Sequence, residues 1–402
     1  MWQAEERCFV FVVCGSKEHI QTLHFSLNAL KQFSIYPIVV VTDTCRNEIP
    51  IIHDSIIDMK TPSSFDHHQA SIWLKTSLHH ILPAGKLYCY LDSDVIALSY
   101  DCNKIFDQFV PPIIFAPDHT TVSYFSPYAV NCDCSDRYQK DKKELEQCAA
   151  TILPHANFPP NMDDTQTREL VRFLNTVSKN YLTLIGFFFK IIYAFFAGKV
   201  KVSNNLYFNF RKKQWQSNDE HYTCPVLPLY RKKLKRAFGY RLSLKQKTWI
   251  KPNGEPISKN RCTHLHESIK NNMGYTLKKD WQQWNGGVFL FNDQSHDFME
   301  TWHHYTMQAF KDSYWKTRDQ GTLIITVLHF KLQHHPTLSD TFNFIADYFK
   351  PEIYADEKNV IFYKGNTIVK PAFIHIYHHW NDTKWDVWNT AIKVLSMNTN
   401  HT

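Results

Sequence analysis

Apolar runs and amphipathic stretches alternate along the first part of the chain. Cys8-Phe9-Val10-Phe11-Val12-Val13-Cys14-Gly15 is a continuous apolar run ending at a glycine, the pattern of a strand buried on both faces. Ile20, Leu23, Leu27 and Leu30 fall at helical spacing and predict a helix over 20–33. Tyr36 to Val41 predicts a second buried strand, ended by Thr42-Asp43-Thr44, and Ile56-Ile57-Asp58-Met59 a short third. Ser71 to Leu82 reads as helical, carrying Ile72, Leu74, Lys75 and Leu78. The run from Lys86 to Leu91 leads straight into Asp92-Ser93-Asp94, and Val95 to Leu98 is apolar again. Ile113 to Ala116 is one more strand. Strands and helices alternating in this order predict an α/β fold, a mostly parallel sheet with helices on both faces.

From about 118 to 280 the rhythm breaks into Cys- and charge-rich turns, an apolar segment and a basic block. It returns at Asn285-Gly286-Gly287-Val288-Phe289-Leu290-Phe291-Asn292, followed by helices near 294–310 and 318–330 and a last strand, Ala372 to Trp380, rich in histidine. The expected organisation is one sheet domain built from 1–117 and 281–402, with a large, mostly helical insertion at 118–280. No internal repeat is evident.

The apolar segment Tyr181–Ala197 is nearly long enough to cross a bilayer. A single crossing would put Asp92 and Asn285 on opposite sides, and Lys190 sits in its middle. Thr183, Gly186, Lys190 and Ala197 line one narrow helical stripe, which leaves a wide aromatic face. Lys199, Lys201 and Arg211-Lys212-Lys213 follow it. This suits a helix lying on an anionic membrane through 181–215; a helix packed on the sheet or in a dimer contact is the other reading.

The net charge of +7 conceals an asymmetry. Residues 199–280 hold 19 Lys and Arg against 5 Asp and Glu, a surplus of +14 that leaves −7 for the rest. Such a block suits an anionic partner or a solvated basic surface. Nucleic acid is not expected, because it would account for the block but not for the carboxylate pair. The acidic start, Met1 to Arg7, lacks the basic region and cleavage site of a secretory signal, so a cytoplasmic protein, peripheral on a membrane face, is expected. The 10 cysteines include no Cys-x-x-Cys pair. Cys132-x-Cys134 with Cys148, and Cys262-x-His264-x-His266, come nearest to ligand clusters but lack complete tetrahedral spacing. Reduced structural thiols are expected instead.

Asp92 and Asp94 end a strand where open α/β sheets hold ligands. Two carboxylates there repel unless a cation lies between them, and a hard divalent ion is the usual solution. Leu91-Asp92-Ser93-Asp94-Val95 resembles the Asp-x-Asp motif of GT-A fold glycosyltransferases, especially the family 8 type. Asn285-Gly286-Gly287-Val288 is similar to that family's Asn-(Ala/Gly)-Gly-Val strand, Arg318-Asp319-Gln320 to its Asp-Gln pair, and His375 stands where the family places a metal-binding histidine. The resemblance covers about 1–117 and 281–402. It implies a nucleotide-sugar donor, commonly a UDP-sugar, a glycan or lipid-linked acceptor, and Mn²⁺ or Mg²⁺. Asp92, Asp94 and His375 would hold the metal, the imidazole nitrogen favouring Mn²⁺. Lys75 and Ser93 would lie at the donor diphosphate. Cys14, Gly15 and Asp43 would line the nucleoside pocket, with capping of the next helix the other reading for Asp43. Asn285, Gly286 and Gly287 would let backbone approach the sugar. Asp319 and Gln320 would orient the sugar, Asp319 facing the reacting carbon. The family's ending, His-x-x-Gly-x-x-Lys, is altered: His378 replaces the glycine and Lys384 falls late. A nucleotidyltransferase, or a non-catalytic membrane-surface protein on a transferase scaffold, are the alternatives. The former would want a richer first loop than Cys14-Gly15-Ser16-Lys17.

Overall fold

The first strand, β1 (Glu6–Val12), sends alternate side chains into two cores, which explains its unbroken apolar run. Phe9, Phe11 and Val13 pack into one; Cys8, Val10 and Val12 pack into the other. The computed structural model describes residues 6–399 except 162–163, 204, 219–220, 244, 247, 259–261, 279–280 and 317.

β1 pairs in parallel with β2 (Ile38–Thr42) and β4 (Lys86–Leu91), and β2 pairs in parallel with β3 (Ile56–Asp58). The strand Gln282–Phe291, called here the glycine strand, runs antiparallel to β4 and to β6 (Ile114–Thr121). The six-stranded sheet is therefore mostly parallel, ordered β3-β2-β1-β4-glycine strand-β6. β6 continues beyond residue 117 to Thr121.

α1 (Lys17–Phe33) covers one face through Ile20, Leu23, Leu27 and Leu30, and Ser16 caps its start. On the other face lie α2 (His67–Thr76), opened by an Asp66/Gln69 capping box, and the short α3 (Leu78–Ile81). The single helix expected over 71–82 thus starts earlier and breaks at Ser77. A small second sheet joins the chain's ends: β5 (Val95–Ala97) pairs antiparallel with the histidine strand Phe373–His375, which pairs in parallel with Phe344–Ile345.

The middle segment begins with α4 (Val122–Ala129), α5 (Cys134–Ile152), α6 (Thr165–Lys179), α7 (Tyr181–Ala197), α8 (Leu227–Phe238) and α9 (His264–Met273). α4 and α9 share a core with α10 (His296–Lys311) and α11 (Asp319–His329) around Val122, Leu265, Ala309 and Ile324. α5 and α8 pack around Phe158 and Tyr230. α6 lies by a four-stranded sheet of 199–201, 206–209, 214–217 and 223–225, with Leu170, Leu206 and Tyr222 between them. The last helix, α12 (Asp386–Thr399), packs by Val387 and Ala391 on the α1 face.

Among the described residues no helix is long and apolar enough to cross a membrane. α7 leans on α6 through Phe187 against Phe173, ring centroids 4.8 Å apart. Tyr181, Leu182, Phe188, Phe189 and Phe196 are exposed, Phe196 to 87%. Thr183, expected on the polar stripe, is half-buried in the same turn register as Phe187.

Candidate active site

Asp92 leaves β4 at the C-terminal edge of the parallel strands, and its N–H donates to Gly287 O at 2.8 Å. Val95 N–H donates back to Asp92 O at 3.0 Å, so Asp92-Ser93-Asp94 is a tight turn between β4 and β5. The two carboxylates converge because of this turn, not through alternation along one strand. Ser93 O accepts from Ser26 Oγ at 2.7 Å, which ties the turn to α1. β5 then pairs with the histidine strand, His375 opposite Val95, and puts His375 Nε2 3.2 Å from Asp94 Oδ1. Ligand atoms of Asp92, Asp94 and His375 all lie within 4.8 Å of one another.

Lys75, in the last turn of α2, reaches the same place from beneath. Its Nζ lies 2.7 Å from Asp319 Oδ2 and 3.3 Å from Asp92 Oδ1. It also sits 4.9 Å from the Tyr90 ring centroid. Tyr90 OH donates to Asp92 Oδ1 at 2.5 Å. Burial works against the charged lysine, yet Asp319 and Asp92 outweigh it and raise its pKa. Burial likewise opposes ionised Asp319, but Lys75 holds that carboxyl below its ordinary range. The two motif carboxylates differ. Burial and Asp94 leave Asp92 raised despite Lys75. For Asp94, burial is overcome by His375, and its pKa is lowered. Burial would depress His375, but Asp94 and Asp92 raise it.

The glycine strand forms the opposite wall. Gly286 N–H donates to Gln320 Oε1 at 3.1 Å, and Gln320 Nε2 donates to Trp284 O. A Cβ on Gly286 would come 3.3 Å from Lys75 Nζ, and one on Gly287 would overlap His375 Cε1 and approach Asp92 Oδ2 to 2.9 Å. Gly287→Ala is therefore expected to cut turnover about 100-fold while costing only about 1–3 kcal/mol of stability, read from kcat and a denaturant melt of the same sample. Asn285 Oδ1 accepts from Gly287 N–H and Asn343 Nδ2, each at 3.0 Å, and its Nδ2 donates to Asp118 Oδ2 at 3.2 Å.

Beyond this lies a group that the sequence did not single out. His119 bridges Asp118 and Asp347 at 3.4 and 3.2 Å, and Tyr377 OH lies 2.9 Å from His119 Nε2. Burial is offset by His119, which keeps Asp347 below its ordinary pKa. Arg168 of α6 is buried, with its guanidinium carbon 3.9 Å from the Tyr348 ring centroid. Tyr348 stacks on His379 at 3.6 Å, so Tyr348 lies between α6 and the turn that carries His379. None of these residues carries a spacing signal. Lys384 is exposed in the turn before α12.

Just past the end of β1, Cys14 Sγ lies 3.4 Å from Ser71 Oγ. Gly15 has φ +103, and a Cβ there would come 2.6 Å from His67 Nδ1, so the position requires glycine. Asp43 is buried. Its Oδ2 accepts from Thr61 N–H and Oγ1 at 2.8 and 2.6 Å, and its Oδ1 accepts from Cys45 N–H at 3.2 Å. Its carboxylate thus caps a short 3-10 turn and anchors the loop, the capping role that the sequence also allows.

The donor set suits a divalent cation: two carboxylates, one imidazole, and a buried His375 Nδ1 that has no hydrogen-bond partner.

A second convergence joins the two short Cys/His clusters that the sequence shows apart. Cys132, Cys134, Cys262 and His264 come together, whereas Cys148 packs elsewhere, beside the core around Phe158 and Tyr230. All ten cysteines are free.

No family model matches the chain, and no curated protein matches it. Among solved structures, the bifunctional glycosyltransferase WbbM aligns with 98% of this chain and 50% of its own, at 10% identity and TM-score 0.41. Mouse xyloside xylosyltransferase 1 aligns over 93% and 98% at 10% identity and TM-score 0.38. The glycosyltransferase GlyE of Streptococcus pneumoniae TIGR4 aligns over 29% and 30% at 18% identity and TM-score 0.21. The chain thus spans half of the first and under a third of the last. The α/β architecture rests on the sheet order itself.

Proposed function

We propose that this chain is a metal-dependent glycosyltransferase that moves a sugar from a nucleotide donor, a UDP-sugar, to a glycan or lipid-linked acceptor. The observation that carries this reading is the meeting of Lys75, Asp92, Asp94, Asp319 and His375 against the side-chain-free wall of Gly286 and Gly287. Asp92, Asp94 and His375 would hold Mn²⁺ or Mg²⁺, and the ion would supply Lewis-acid stabilisation to the departing nucleoside diphosphate. Lys75 adds fixed positive charge at the same spot and keeps Asp319 ionised. Asp319, half-buried and oriented by Lys75, is the group that faces the sugar. Gln320 holds the backbone of Gly286, so the glycine wall keeps its shape. Asp118, Asn285 and Asn343 brace that wall from behind.

The test is a panel of nucleotide sugars incubated with Mn²⁺, Mg²⁺ or chelator. Metal-dependent release of nucleoside diphosphate from at least one donor is expected, and chelator should abolish it. Absence of any metal-dependent nucleotide binding sinks the reading. Release of pyrophosphate from a nucleoside triphosphate and a sugar phosphate would mark a nucleotidyltransferase instead.

The acceptor side of the proposal draws on α7. Its aromatic face is exposed, and exposed Lys199, Arg211 and Lys212 follow it. We infer a cytoplasmic enzyme that meets its acceptor at an anionic membrane surface through 181–215. Vesicles containing phosphatidylserine should sediment the protein, and salt should release it. Replacing Phe188, Phe189 and Phe196 with serine should abolish sedimentation without changing donor hydrolysis; unchanged sedimentation would refute membrane contact.

A further inference from the structure

Cys132, Cys134, Cys262 and His264 offer three sulfur atoms and one ring nitrogen that lie within 4.8 Å of one another. Cys132 Sγ and Cys262 Sγ are 3.7 Å apart, Cys134 Sγ and His264 Nδ1 3.5 Å, and Cys262 Sγ and His264 Nδ1 3.4 Å. With Zn–S of about 2.3 Å and Zn–N of about 2.0–2.1 Å, the edges of a regular tetrahedron are about 3.8 Å between sulfurs and about 3.5 Å between sulfur and nitrogen. These separations therefore match the edges of a zinc coordination shell. A disulfide between Cys132 and Cys262 would need about 2.05 Å. We propose that these four residues form a structural zinc site at the neck of the middle segment.

The surroundings of Cys134 suit a thiolate, while burial pushes the Cys262 thiol up. Cys134 is the first residue of α5 and His264 the first of α9, so two helix N-termini face the cluster with their positive dipole ends. Arg137 Nη2 lies 3.3 Å from Cys134 Sγ, and Ser126 Oγ lies 3.0 Å from Cys262 Sγ. Ser126 Oγ also accepts from Leu265 N–H at 3.0 Å, which fixes the turn carrying Cys262 and His264. All four coordination positions come from protein, and none is left for water or substrate, so the site is structural. Three thiolates with zinc carry one net negative charge, which Arg137 offsets.

The placement gives the site a task. Cys132 follows the bridge between Val130 and Trp315, where the chain leaves the body built on α11. Cys262 stands 130 residues later, where the chain comes back to it. Zinc there clamps both ends of the segment that contains α5–α8. Binding to the folded form alone stabilises it, as in other metal-clamped folds.

The experiment uses the full chain without a histidine tag, purified without chelator. Elemental analysis should find about one zinc per chain. Replacing it with Co²⁺ should give the intense thiolate charge-transfer and tetrahedral ligand-field bands. Cys134→Ser and Cys262→Ser should lose the metal, whereas Cys148→Ser, His80→Ala and His375→Ala should retain it. The last two exclude the partly exposed His79-His80-His296 cluster and the candidate active site as the source. A strong chelator should make 132–262 protease-sensitive. Folded wild-type protein with no zinc and no tetrahedral cobalt spectrum would overturn the proposal. So would full zinc in Cys134→Ser, loss of zinc in His375→Ala or His80→Ala, or a Cys132–Cys262 disulfide.

Discussion

Asp92→Asn and Asp94→Asn are each expected to lower sugar transfer at least about 1,000-fold, equivalent to roughly 4 kcal/mol of barrier. On the proposed function, both remove a hard anionic ligand from the proposed metal centre of Asp92, Asp94 and His375, and the amide that replaces it binds a divalent ion weakly. Nucleotide binding measured by calorimetry should lose its metal dependence, because the phosphates need the cation to offset these carboxylates. The overall fold should survive, since Asp92 N–H and not its side chain ties the turn to Gly287. The wild-type centre should also weaken in acid. Burial, with Asp94 beside it, raises the Asp92 pKa, so protons compete with metal at a higher pH than at an ordinary aspartate. Metal-dependent binding that stays constant down to pH 4, or that survives in both variants, would contradict the assignment.

Lys75→Met should be the most damaging single change to stability in the site. It leaves Asp92 and Asp319 facing each other with no cation, and unpairing a buried carboxylate costs about 3–5 kcal/mol. The lower end is expected, because Asp92 keeps 32% of its side-chain surface in water. Three readouts separate charge from packing. Adding Asp319→Asn to Lys75→Met should recover part of the stability but none of the activity. Saturating Mn²⁺ should narrow the gap to wild type, since the ion neutralises Asp92. The pH dependence follows from the two shifts. Lys75, raised above its ordinary 10.5, contributes fully below that pH and loses its effect only as pH rises through the higher folded value. Asp319, lowered from 3.8, contributes above that value and loses its effect as pH falls through the lower folded one. A variant as stable as wild type in chelator would remove Lys75 from this role.

Much of this centre could be read from local residue order. The strand before Asp92, Lys75 on the preceding helix, the Asn285-Gly286-Gly287 strand and the Asp319-Gln320 pair each stand out within a few residues. What stayed hidden depends on contacts between distant segments. The sequence shows Val95 to Leu98 as an apolar run, but only its antiparallel pairing with Phe373–His375 explains why His375 reaches Asp94. The bracing set of Asp118, His119, Asn343 and Asp347 comes from the end of β6 and the distant loop positions 343 and 347, which share no periodicity. The sequence shows both halves of the cysteine cluster but not their meeting, for a similar reason. Each half, Cys-x-Cys and Cys-x-His, is too short to be a metal motif alone, and 130 residues separate Cys132 from Cys262. Asp43 shows that a carboxylate at a strand end can serve its own loop as well as a ligand, so its position alone does not assign it.

The position of the glycine strand has a consequence for biogenesis. β4 is complete at Leu91, but the partner that covers its free edge, Val288 opposite Leu91, is made almost 200 residues later. β6 waits for the same strand. At about 5–20 residues per second, a ribosome leaves that apolar edge bare for roughly 10–40 s. Nascent chains stalled anywhere between 121 and 282 should therefore be chaperone clients, and fragments ending there should aggregate through Tyr88–Leu91.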